Sequence, residues 1–303
     1  MAQRLVCVLL LLVAAASHAQ QQVVLPSLDG TQLKATWLAP AASTNPKSSD
    51  IPIDTAPVRL PAVIALHGCG GLYARTGARK GQLNARHQAM GEMLQGMGYH
   101  VVFPDSLSAR GEDSLCVQPI GTRKVTQIQR RADAFGALAW VRAQLWADPT
   151  RVAVVGWSHG GSAVLAVTEA ANRNAAHVEP FKTAIAFYPG CSDSLQKKYQ
   201  PNTSLTLFLG ADDDWTPPGP CLSMVEQIKA QPKLAHEPVM PPVEVTVYPG
   251  AVHDFDTPLP GLRERKDVPS RLHAGKGVMT GQNAAAREAS YKSVREVLQE
   301  AFR

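Results

Sequence analysis

The chain has 303 residues, 45% of them hydrophobic and 18% charged, which excludes a disordered or collagen-like polymer and leaves enough length for a substantial core. The formal net charge of +5 invites an anionic polymer as partner. The basic residues are scattered and no recognition motif accompanies them, so nucleic-acid binding is set aside.

The chain opens on a leader. Arg4 is followed by an apolar run, Leu5 to Ala16, and then by the small residues Ser17 and Ala19, the pattern of a secretory signal peptide, residues 1–19, with cleavage expected after Ala19. The run falls short of the roughly 20 apolar residues that a spanning helix needs, and Cys7 lies too early in it for lipid attachment. Residues 20–303 are therefore expected to be secreted or periplasmic, without a membrane anchor. Losing Cys7 leaves Cys69, Cys116, Cys191 and Cys221, an even set suited to an oxidising compartment and without the C-x-x-C spacing of a zinc site.

Two extended runs around Asp29-Gly30 predict an antiparallel hairpin, and Ala39 to Leu60 reads as a surface loop. From there strands and helices alternate. "AVIALHG" is a strand; Ala85 to Met97 is a helix through Met90, Met93, Leu94 and Met97; "HVVFPD" is a strand. The segment Thr122 to Leu145 predicts a helix with Val125, Ile128, Ala132, Phe135, Leu138 and Val141 on one face. There follow the strand "RVAVVG", the helix "GSAVLAVTEAAN", the strands "TAIAFYPG" and "SLTLFLG", the helix "CLSMVEQIKA" and the strand "VEVTVYPG". An amphipathic helix carrying Tyr291, Val294, Leu298 and Ala301 closes the chain. Apolar strands interleaved with helices give the α/β class: a single domain over residues 20–303, with a mostly parallel sheet covered by helices on both faces. In such a sheet, chemistry is sought just after the carboxyl ends of the strands.

After "RVAVVG" comes Gly156-Trp157-Ser158-His159-Gly160, a G-x-S-x-G elbow between strand and helix that exposes a serine nucleophile. A glycine-rich turn with an incidental serine is the bland alternative. The hydroxyl needs a base and an oxyanion site. The backbone N–H of His159, opening the next helix, is the first donor, and the backbone N–H of Cys69 in "LHGCGG" is the second. His67 reads as structural. In this fold the order is serine, acid, histidine, which removes His67, His87 and His100. Of His177, His236, His253 and His273, only His253 stands in a short loop directly after a strand, in "VYPGAVHDF". The acid lies between, and two places compete: Asp193 in "YPGCSDS" and the triplet Asp212, Asp213 and Asp214 in "FLGADDDWTPP". The triplet is better placed to reach His253. In extended chain Asp213 points opposite to its neighbours, so one carboxylate turns inward while Asp212 and Asp214 stay in water.

These three segments, "GWSHGG", "GADDDWTP" and "YPGAVHDF", resemble the dienelactone hydrolase family of α/β hydrolases across residues 60 to 256. The resemblance puts the acid on Asp213, three residues after Gly210 and four before Pro217, and the base on His253. It also implies an arginine that holds a substrate carboxylate, for which "PDSLSARG" offers Arg110; a structural loop arginine is the equal alternative. Members that open dienelactones carry cysteine where this chain has Ser158, and a glutamate where it reads "LHGCGGL". The departure favours a serine esterase over the family's namesake reaction.

The expected function is hydrolysis of a small ester or lactone by Ser158, Asp213 and His253, without metal or organic cofactor. A peptidase or polymer-degrading esterase is the alternative among enzymes, and a non-catalytic binding protein is the alternative outside them. Disulfides are expected from Cys69 to Cys116 and from Cys191 to Cys221, since each pair joins loops at the same sheet end after neighbouring strands.

Overall fold

The structure is a computed structural model that describes residues 20–41, 58–119, 121–172, 177–231 and 240–303. The leader with Cys7, residues 42–57 of the predicted surface loop and His236 lie outside the described residues. Eight strands form one sheet in the order β1-β2-β4-β3-β5-β6-β7-β8. The hairpin signal holds: β1 (Gln20–Pro26) pairs antiparallel with β2 (Gln32–Leu38), and the turn between them puts Gly30 at φ +88° while Asp29 Oδ1 accepts from the Thr31 N–H. β2 joins β4 (His100–Pro104) antiparallel. From there every pairing is parallel, through β3 (Leu60–Leu66), β5 (Ala147–Trp157), β6 (Ala184–Phe187), β7 (Leu205–Gly210) and β8 (Val243–Tyr248).

Their near-continuous apolar sequences follow from burial on both faces. On one face β-strand residues pack with α2 (Gln127–Arg142), α3 (His159–Thr168) and α5 (Gly219–Lys229); on the other with α1 (Ala85–Gly96) and α6 (Ala284–Ala301). A short helix, α4 (Ser192–Gln196), lies between β6 and β7. Among the described residues, no helix is long and apolar enough to cross a membrane.

The buried face expected for the α2 segment holds at Val125, Phe135, Leu138 and Val141 but fails at Ile128. Ile128 is 64% exposed, while Arg130 and Asp133 point inward with Ala134, Ala137, Leu138 and Val141. Both charges are answered where they are buried: Arg130 donates to the His67 carbonyl at 2.6 Å, and Asp133 receives two N–H groups of Arg110. A periodicity count that admits only apolar residues to the core misses positions whose polar groups have partners waiting.

Besides α4, a whole hairpin has no counterpart among the predicted elements. Between β8 and α6 the chain forms a separate antiparallel hairpin, β9 (Leu262–Pro269) with β10 (Gly277–Gly281). β9 reads Leu-Arg-Glu-Arg-Lys-Asp-Val-Pro, charged on both faces, and so lacks the apolar alternation by which strands are recognised.

Candidate active site

β5 ends in the elbow. Ser158 takes φ +52°, ψ −114°, and its N–H is held by the Phe187 carbonyl at 2.9 Å. The turn closes only because two neighbours lack side chains: a Cβ on Gly156 would meet the Gly160 carbonyl oxygen at 2.3 Å, and one on Gly160 would meet that of Leu66 at 2.0 Å. His159 is the first residue of α3, so its N–H has no intrahelical acceptor and faces outward at the positive end of the helix.

Three side chains from three strand ends meet here. Ser158 Oγ is 3.0 Å from His253 Nε2, and His253 Nδ1 is 2.7 Å from Asp213 Oδ2. Asp213 is held on its other side by the N–H groups of Trp215 (2.9 Å) and Thr216 (2.8 Å), both to Oδ1. The Thr216 hydroxyl stands 3.0 Å from Asp213 Oδ2 and 3.0 Å from the Tyr188 carbonyl. The imidazole of His253 lies between two aromatic rings, with centroids at 4.6 Å from Tyr188 and 4.7 Å from Trp215.

Burial opposes a charge on His253, but the Asp213 carboxylate outweighs it and raises the imidazole pKa above its ordinary value. A base must be neutral to take a proton. The acid limb of kcat/KM is therefore expected at a pH above the usual imidazole midpoint of about 6.5, and Asp213→Asn should move it to lower pH; an initial-rate profile with a neutral ester checks both.

The competing residues are elsewhere. Asp193 is exposed and pairs with Lys197 at 2.8 Å, while His177 and His273 are exposed. His67 is fully buried, with Nδ1 2.8 Å from the Gly68 carbonyl and Nε2 accepting from the Ser106 N–H. Burial and the adjacent Arg130 keep it neutral, as burial does for His87, whose pKa falls to about 3.

Of the two readings left open for Arg110 the geometry favours the structural one, and one expectation, that for Asp214, needs correction. Arg110 does not face the cavity: its guanidinium is taken up by Asp133 (2.7 and 2.9 Å), Asp29 (2.7 Å) and the Ser106 carbonyl (2.8 Å), so it ties β-hairpin, loop and α2 together instead of reading a substrate. Nor does Asp214 stay in water. It is 3% exposed, its carboxylate accepting the Met279 N–H at 2.9 Å and the Ser270 hydroxyl at 3.0 Å, and its carbonyl accepts the Arg271 N–H. Of the triplet only Asp212 is exposed; Asp213 faces the histidine and Asp214 pins the β9–β10 hairpin. The hairpin is also joined to the base loop, since the Gly281 N–H donates to the His253 carbonyl at 3.0 Å.

Ser158 and His253 open into a cavity of about 240 Å3. Its walls come from the Gly68–Gly71 loop, the start of α1, the base loop and the hairpin, the last bringing Arg263 and Arg265. Arg265 is paired with Asp267 and stacks on Trp215 at 5.4 Å. Arg75 and Arg263 also line the space, and neither has an ion-pair partner among the described residues. None of the hairpin's contribution was readable from the sequence. A larger hollow of about 410 Å3 between β1, β2 and α1 contains no nucleophile and base together.

Cys69 is bonded to Cys116 and Cys191 to Cys221, the pairing expected. The first disulfide lies in the cavity wall and fastens the loop that carries the Cys69 N–H. The second fastens the chain after β6 to the start of α5.

A family model described as the dienelactone hydrolase family matches residues 52–302. The chain belongs to that family. Solved structures agree on the fold of this dienelactone hydrolase family member. A dienelactone hydrolase-like promiscuous phosphotriesterase from metagenomic libraries is 18% identical, with 94% of this chain and 99% of that one covered and a TM-score of 0.60. An esterase of Thermogutta terrifontis with propionate bound is 18% identical, covering 93% and 94%, with a TM-score of 0.57. Dipeptidyl peptidase 4 of Porphyromonas gingivalis is 16% identical over 93% of this chain but 35% of its own, with a TM-score of 0.61. At these identities the likeness is one of fold. No curated protein sequence matches the chain.

Proposed function

We propose that this dienelactone hydrolase family member is an exported serine esterase that cleaves small carboxylic esters or lactones. The observation that carries the reading is the continuous contact from Ser158 Oγ through His253 to Asp213, open to the cavity at the serine end. Ser158 attacks the ester carbonyl as its proton passes to His253 Nε2, and the negative oxygen is held by the N–H groups of His159 and Cys69. His253 then gives that proton to the departing alcohol, leaving an acyl-serine. Water enters, loses a proton to His253 and displaces the acyl group, which returns the serine hydroxyl. Asp213 keeps Nδ1–H of His253 turned toward itself and stabilises the imidazolium formed in each half.

Export is supported by the leader pattern of residues 1–19, which lie outside the described residues, and by two disulfides that fit an oxidising compartment. We read residues 20–303 as one domain.

The cavity favours an ester with a negative group away from the scissile carbonyl, because Arg75 and Arg263 line it and neither has an ion-pair partner among the described residues. An assay of p-nitrophenyl acetate, p-nitrophenyl valerate, mono-p-nitrophenyl glutarate and a dipeptide p-nitroanilide tests these points together. Hydrolysis of the esters with the anilide inert supports the esterase; a faster anilide would favour the peptidase alternative, to which the likeness with dipeptidyl peptidase 4 gives some support. Arg263→Gln should lower kcat/KM for the glutarate ester about tenfold while leaving the valerate ester nearly unchanged, as the loss of one charge-assisted bond implies.

A further inference from the structure

Beneath the triad lies a second carboxylate that the mechanism above does not use. Asp256 is fully buried, three residues after His253. Its Oδ2 accepts the indole N–H of Trp157 at 2.8 Å. Its Oδ1 accepts the hydroxyl of Tyr188 in a short hydrogen bond and stands 3.0 Å from Arg86 Nε. The same guanidinium reaches Asp254 Oδ1 at 2.8 Å, and Asp254 holds a left-handed φ of +65° immediately after the base. From α6, Arg287 donates to the Asp256 carbonyl at 3.0 Å.

Each of these partners adjoins a different arm of the triad. Trp157 precedes Ser158 in the chain. The ring of Tyr188 packs on His253, and its carbonyl lies 3.0 Å from the Thr216 hydroxyl, which in turn stands 3.0 Å from Asp213 Oδ2. Arg86 clamps the loop that carries His253. An apolar side chain of similar size generally serves a core at least as well as a buried charge. A carboxylate, unlike an apolar group, gives two hydrogen-bond donors, Trp157 and Tyr188, and one ion-pair partner, Arg86, from three separate segments a common anchor and so fixes their mutual distances.

We propose that Asp256 is a positioning residue that sets the Ser158–His253 contact by tying Trp157, Tyr188 and Arg86 to one buried carboxyl group. This rests on the catalytic roles given above to Ser158, His253 and Asp213. Asp256→Asn keeps the size but removes the charge, and its NH2 must face either the Trp157 N–H or the Arg86 guanidinium, both of which only donate, so one of the three ties must break. Tyr188→Phe breaks a single tie and leaves the ring against His253. Val294→Ala, on the buried face of α6 and outside the cavity lining, is the control for lost stability alone.

The experiment measures kcat and KM for p-nitrophenyl acetate together with Tm in all three variants, after confirming that paraoxon phosphorylates Ser158 in the wild type. Asp256→Asn is expected to lower kcat about 10- to 100-fold with KM within about twofold, since a misplaced base slows chemistry without weakening binding. Tyr188→Phe should show a smaller fall of the same kind, and Val294→Ala should lose Tm while keeping kcat. The proposal is overturned if folded Asp256→Asn keeps kcat within about twofold of wild type, or if Val294→Ala loses as much kcat for the same fall in Tm. Should Asp256→Asn fail to fold, unchanged kcat in Tyr188→Phe overturns it. A wild type that paraoxon leaves unmodified at Ser158 overturns the serine mechanism and this role with it, whereas a modified wild type with an undisturbed Asp256→Asn rate overturns this role alone.

Discussion

Replacing Ser158 by alanine is expected to lower kcat/KM for p-nitrophenyl acetate by at least about 10 000-fold, the scale of loss when a triad nucleophile is removed. The effect is large because nothing near it can substitute. The hydroxyl is the group 3.0 Å from His253 Nε2, and its left-handed backbone at φ +52° is what brings it to that point. Ser162, one turn along α3, bonds the Gly190 carbonyl and the Ser158 carbonyl and does not approach the base. The fold should survive the change, since the Ser158 N–H bond to Phe187 and the packing of Gly156 against Gly160 involve only backbone. Circular dichroism and Tm close to wild type, together with lost turnover, are the expected pair of results. Full activity in Ser158→Ala would mean that another group attacks the ester.

Asp213→Asn is the second large effect, a loss of about 10 000-fold in kcat by analogy with the acid of other triads, where the amide leaves the histidine in the wrong tautomer. Here the local geometry makes the tautomer argument specific. Oδ1 is already committed to the N–H groups of Trp215 and Thr216, so an asparagine is expected to keep its oxygen there and turn its NH2 toward Nδ1 of His253. Nδ1 must then accept, the proton moves to Nε2, and the base faces Ser158 with a donor instead of a lone pair. Asp212→Asn, on an exposed side chain, should cost little, and Asp193→Asn should cost no more than its surface pair with Lys197. Asp214→Asn belongs to a different class. It disturbs the anchor of the β9–β10 hairpin, so it should raise KM for the anionic ester more than it lowers kcat.

The contrast within this triplet shows what the sequence could and could not disclose. Asp213 was legible because its position depends on local matters, a strand that ends at Gly210 and a loop that must reach His253, although the alternation expected to leave both neighbours in water fails at Asp214. Asp214 was not, because its partners Ser270 and Met279 are 56 and 65 residues further on, in a hairpin whose strands are too charged to read as strands. The elbow was legible for the same reason as Asp213, since strand, turn and helix are contiguous and the small residues at Gly156 and Gly160 are required by contacts a few residues away. Arg110 shows the opposite. A lone arginine after a strand can serve a ligand or the scaffold equally, and the choice was made by Asp29 and Asp133, 81 and 23 residues distant. Sheet topology followed from the alternation of apolar strands and helices. The burial of Arg130 and Asp133 on α2 did not, because they are buried by virtue of their partners and not of their own character.

The fold and the family are common to enzymes with different substrates, so the central claim is narrower: a nucleophilic serine at position 158, activated by His253. It is tested most directly by treating the wild-type protein with paraoxon, an organophosphate whose phosphorus is attacked by activated serines, and mapping the adduct by peptide mass spectrometry. The account predicts one diethylphosphoryl group on Ser158, loss of esterase activity in step with its formation, and no adduct in His253→Ala on the same timescale. A protein that hydrolyses p-nitrophenyl acetate while its modified residue is anything other than Ser158 would contradict it.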